Sequence, residues 1–212
     1  MDEMKFKQEK EGVIKFKYEL LNADSPAADA VSELETVRSK LFQMKLIGED
    51  ETGLGYGNVS RLIKKEKIVN AFIITGSQTG GLSELSADQY CKVIDYDYER
   101  FWIRAEGKIK PSSEALTHAS LYDADPEIHW IIHVHNNALW NFMLKNSYTS
   151  TGKIEYGTKE MAEDVNRLLR KGKLAKGNLL AMTGHESGLI SFGRSSTEAM
   201  EYILQLIKAA NL

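Results

Sequence analysis

The chain has 212 residues, of which 42% are hydrophobic and 27% charged, so one domain with a sizeable core is expected and wholesale disorder is excluded. A formal net charge of -3 argues against a protein built mainly to hold nucleic-acid phosphates or an anionic membrane, so neither is expected as a partner. One cysteine, Cys91, excludes a disulfide framework and a cysteine-cluster metal site; with no apolar run of membrane-span length and a charged start (MDEMKFKQEKEG), the expected home is cytoplasmic.

Ile14, Phe16, Tyr18 and Leu20 alternate with charged residues and predict a half-buried strand. Ser25-Pro26 offers a helix cap and a first-turn proline. The stripe Val31, Leu34, Val37, Leu41 and Met44 then predicts a helix that stops at Gly48. A glycine-rich loop runs to Gly57, after which NVSRLI and AFIIT read as short strands. Ser86, with Gln89 three residues on, forms a capping box for a helix through about Ile94, which would place Cys91 in the core. FWIRAEG reads as a strand and PSSE as the start of a helix. The strand EIHWIIHVH and the helix NALWNFMLK follow. A further helix follows Thr158 and ends in the basic run RKGKLAKG, read as solvated; then come strands LLAM and GLISF and a last helix from Ser195 or Ser196. Strands and helices intermix throughout and several strands are joined by short turns. The expected fold is therefore α/β, with helices on the faces of one mixed, largely antiparallel sheet.

All 5 histidines fall between His118 and His185. On the strand EIHWIIHVH, period two places Ile131, His133 and His135 on one face and Trp130, Ile132 and Val134 on the other. Residues i and i+2 are about 6.5–7 Å apart along a strand, close enough for two imidazoles to lean onto one ion. A pair of hydrogen-bonded structural histidines explains that spacing equally well. His185, in the polar turn TGHES between two apolar strands, is the candidate third ligand, against the simpler reading of a solvent-facing turn residue. Three imidazoles would leave coordination positions open, as a catalytic ion requires. Glu114 in KIKPSSEALTH is the carboxylate candidate. Ser112 and Ser113 stand where a helix start leaves N–H groups for an anion, although an ordinary capped helix start has the same composition. His118 and Tyr122 share the helix stripe of Glu114 and are read as its hydrogen-bonded support; His129 is read as solvated. The loops GLGYGNVSR and ITGSQTGG match no nucleotide motif, yet either can turn backbone N–H groups toward a phosphate.

The order GNVSR, ITG, PSSE, HVH and a late histidine before GLISFG resembles the class II aldolase/adducin family, over about Ala30 to Leu206. That family includes fuculose-phosphate and rhamnulose-phosphate aldolases, ribulose-phosphate 4-epimerase and methylthioribulose-phosphate dehydratase. The resemblance implies a three-layer α/β/α sandwich, a single domain over 1–212, one divalent ion of zinc type per subunit and a homotetramer with sites between subunits. It implies metal ligands His133, His135, His185 and Glu114, with Glu114 also the acid/base. Gly57, Asn58, Thr75, Gly76, Ser112 and Ser113 correspond to the pocket for the sugar phosphate. The implied activity is metal-dependent retro-aldol cleavage of a small phosphorylated ketose through a metal-stabilised enediolate. Dehydration of a ketose phosphate, or a catalytically silent adducin-like scaffold, are the alternatives. Two departures stand out: Glu186 and Ser187 separate His185 from Gly188, where the family pattern has HG, and the segment between HVHN and YGTKE is too short to carry the aldolases' catalytic tyrosine. A tyrosine-bearing tail after the last helix is also not expected.

Overall fold

In the computed structural model, residues 12–65, 69–172 and 174–212 are described; the charged start (1–11) and Lys173 of the basic run lie outside them. Strand β1 (Lys17–Asn22) opens an eight-stranded sheet. Next to it lies β7 (Trp102–Gly107), then β6 (Tyr90–Asp97), β5 (Asn70–Thr75) and β4 (Asn58–Lys65). β8 (Trp130–His135), β10 (Gly188–Gly193) and β9 (Leu179–Ala181) complete it. Among the described residues only β1 and β7 run parallel within this sheet; every other neighbouring pair of its strands is antiparallel. A short ladder of β2 (Gly48–Glu49) and β3 (Gly55–Tyr56) stands apart.

The period-two pattern of β8 divides the core as its sequence demands. Trp130, Ile132 and Val134 pack with Leu34, Leu139 and Ile203 of α1 (Ala28–Gln43), α3 (Asn137–Lys145) and α5 (Ser196–Ala210). Ile131 points the other way, toward Leu116 and Val165 of α2 (Ala115–Ala124) and α4 (Lys159–Arg170). β5 repeats the division, with Phe72 and Ile74 on the α2/α4 side and Ile73 opposite. Each such side chain, once fully buried, contributes about 1.5–3 kcal/mol. The result is the expected three-layer sandwich around a largely antiparallel sheet. Among the described residues no helix is long and apolar enough to cross a membrane.

Local expectations fail where one cue competes with another. The capping box at Ser86 and Gln89 exists, but the helix it opens is a single 3-10 turn, Ala87–Gln89. From Tyr90 the chain pairs with β5 and β7 instead, so Cys91 is a strand residue, though buried as expected. Two ladders of backbone hydrogen bonds outweigh one capped turn. Ser25 does not cap α1: Ala27 holds the cap position and the Ser25 hydroxyl donates to Asp88. That helix ends before Gly48, with Lys45 taking the left-handed conformation (φ 56°). α3 spans the predicted NALWNFMLK, capped by Asn136 accepting from the Leu139 N–H.

Candidate active site

His133 and His135 project from the end of β8 on the face covered by α2 and α4. His185 reaches them from the turn between β9 and β10, because β10 pairs with β8 in a register that sets Gly188 opposite His135. The turn lies at the end of the sheet, but the His185 ring is 3% exposed, so it is not solvent-facing. The three histidines offer ligand atoms that all lie within 4.8 Å of one another. His133 Nδ1 lies 3.0 Å from the Leu189 carbonyl, which can only accept, so Nδ1 carries the proton and Nε2 presents a lone pair. That Nε2 is 3.0 Å from His135 Nε2. Two nitrogens on one tetrahedral ion, each at 2.0–2.1 Å, would be about 3.3 Å apart. The donor set therefore fits a divalent ion that accepts imidazole. Burial, with the neighbouring His185 charge next, pushes the His133 and His135 rings well below the usual imidazole range, which keeps both neutral and able to ligate.

Glu114 occupies the cap position of α2, but its side chain does not cap the helix. Its carboxylate is instead buried, with Oε1 3.6 Å from His185 Nδ1, beside the imidazole trio. The chain is brought there by an isolated bridge between Gly76 and Pro111 and by the Ser77 N–H donating to the Lys110 carbonyl at 2.9 Å. These links join the loop after β5 to the start of α2. Gly57, Asn58, Gly76, Ser112, Ser113 and Glu114 line one niche together with His133. Its free volume is about 10 Å³, the room of a single water. Thr75 lies behind the niche, where its hydroxyl accepts from the Val59 N–H at 3.3 Å. Gly57 has a structural reason of its own: φ is +78° and a Cβ would come within 2.7 Å of Ile47.

Support for the floor comes from the α2 stripe. Ser60 Oγ on β4 is 2.7 Å from both His118 Nδ1 and the Tyr122 hydroxyl, so helix and strand are tied by a buried polar chain. Burial lowers the His118 pKa to about 3. His129 is exposed, as expected.

Two aromatic neighbours escaped sequence reasoning. Tyr156 stacks on His185 with ring centroids 4.6 Å apart, and its hydroxyl accepts from the Val13 N–H at 3.2 Å. Tyr56 stands 5.2 Å from the His135 ring. Nothing in the local pattern distinguishes either residue from an ordinary packed aromatic; only the tertiary contact does.

Comparisons with known proteins agree with the fold. The family described as Class II Aldolase and Adducin N-terminal domain matches residues 44–212. No curated protein matches the chain in sequence. Among solved structures, an L-fuculose 1-phosphate aldolase is similar at 20% identity and a TM-score of 0.65, covering 88% of this chain and 85% of that one. An L-fuculose-1-phosphate aldolase from Thermus thermophilus is similar at 18% identity and a TM-score of 0.62, covering 87% and 92%. A sugar-phosphate aldolase from Thermotoga maritima has 17% identity and a TM-score of 0.64, covering 86% and 92%. At such identities the likeness establishes a common fold.

Proposed function

Because the chain belongs to the class II aldolase and adducin family, we propose that it is a divalent-metal-dependent lyase that cleaves a small phosphorylated ketose by the retro-aldol route. The convergence of His133, His135 and His185 beside the buried Glu114 carries this proposal. A zinc-type ion in that donor set supplies Lewis-acid polarisation of neighbouring hydroxyl and carbonyl oxygens. Ser112, Ser113, Asn58 and the backbone of Gly57 and Gly76 bind and orient the phosphate, the niche they line widening from its present room of one water to admit it. Thr75 acts from behind by holding the Asn58–Val59 backbone in place. Glu114, buried beside the imidazole trio, holds and moves the proton at the carbon beside the carbonyl. Tyr156 fixes the plane of His185 by stacking.

A panel of ketose 1-phosphates assayed with and without chelator tests the proposal. Cleavage that chelator abolishes is expected, and Glu114→Gln should lose about 100-fold or more in turnover while keeping its metal. Turnover that survives either chelator or Glu114→Gln would contradict it.

A further inference from the structure

We infer that the half of the substrate beyond the phosphate and the reacting carbons lies in a second cleft on the His135 side, where Tyr56 and Glu186 select an uncharged, polyhydroxylated chain. The inference rests on the ketose-phosphate proposal above. The niche beside Glu114 has room for about one water, whereas a cleft of about 460 Å³ opens next to it, lined by Lys45, Asp50, Tyr56, His135, Glu186 and Ser187. Of the three imidazoles, His133 and His185 are buried and His135 is partly exposed, so the centre meets solvent along the wall that this cleft shares. Tyr56 lines both spaces and stands at their junction, its ring tilted 34° against that of His135.

The lining also indicates what the cleft accepts. Two carboxylates against one ammonium disfavour a second anionic group, and the exposed Glu186 provides an acceptor for hydroxyls. A phenol is protonated at neutral pH, so Tyr56 offers a donor beside His135. The wall itself comes from the departure noted in the sequence: Glu186 and Ser187 are the residues that separate His185 from Gly188. Ser187 is held at φ 64° while its carbonyl accepts from the Asn136 N–H at 2.9 Å, which pins the added turn to the residue after His135. Lys45, which also lines the cleft, is left-handed too at φ 56°. Non-glycine residues are strained in that region and persist where the surroundings enforce them.

Titration calorimetry of the zinc-loaded chain with glycerol 1-phosphate and a pentitol 1-phosphate tests the inference, the second probe adding only a hydroxylated tail. The wild type should bind the longer probe at least tenfold tighter, and Tyr56→Phe and Glu186→Gln should each shrink that ratio at least threefold. A pentonate phosphate, with a carboxylate at its far end, should lose affinity in the wild type and regain it in Glu186→Gln. No preference for the longer probe, no binding of either, or a ratio unchanged in both variants would overturn the inference. Failure of the lyase proposal would look different: wild type would not exchange the carbon-bound protons of dihydroxyacetone phosphate in D₂O, whatever the binding ratio.

Discussion

His118 shows how one buried ring couples the fold to pH. Its folded pKa of about 3 lies below the value near 6.5 of an unfolded histidine. Above pH 6.5 both states are neutral and the contribution is complete. As pH falls from 6.5 toward 3, the unfolded chain takes up a proton that the folded chain refuses, and stability drops by up to about 1.4 kcal/mol per pH unit. His133 and His135 shift in the same direction and steepen the loss in metal-free protein. The urea midpoint of the chelated chain should therefore fall between pH 7 and pH 5, and fall less in His118→Asn. An identical fall in that variant would show that the ring is not a source of the pH dependence. The paired histidines and Glu114 were legible because strand period and a helix start place them by local rules. His185 was legible as a candidate but not as buried, since the burial of a turn residue depends on what packs over it. Tyr56 and Tyr156 were not legible, because their positions come from contacts with residues far along the chain.

At the scale of elements, the loop that follows the niche is anchored by α1. Arg38 is 1% exposed and donates to the carbonyls of Leu82 at 2.8 Å and Ser83 at 2.6 Å, and through Nε to Glu35 at 3.0 Å. Glu35 also accepts from the Tyr90 hydroxyl at 2.6 Å, Ser39 at 2.9 Å and the Leu85 N–H at 3.2 Å. Burial alone would raise the Glu35 pKa, but the hydrogen bonds from Arg38, Tyr90 and Ser39 outweigh it and lower the carboxyl. Breaking such a pair strands the partner charge, so Arg38→Met should cost about 3 kcal/mol in denaturant unfolding, the low end for a buried pair because Glu35 keeps some solvent access. Arg38→Met combined with Glu35→Met should cost less than the two changes summed. A loss below about 1 kcal/mol for Arg38→Met would mean that the network does not hold the loop. Element type was legible wherever one period and one cap agreed, as in α3. It was lost at Ser86, where a valid capping box precedes residues claimed by strand partners on both sides.

Across the whole molecule, the sheet order brings together segments that lie far apart along the chain. β4 lies between β5 and β8 and β10 on the other side of β8, so residues 57–58, 76, 112–114, 133–135 and 185 meet at one end of the sheet. Strand pairing of this kind is non-local, and periodicity carries no information about it; the order of sequence blocks shared with the family supplied the architecture. The proposed chemistry depends on the imidazole trio holding an ion, and the most direct measurement is zinc stoichiometry by elemental analysis of the wild type and of His133→Ala, His135→Ala and His185→Ala, with folding checked by circular dichroism. One ion per wild-type chain and at least tenfold weaker retention in each folded variant is the predicted result; no ion in the wild type, or full occupancy in all three variants, would contradict it.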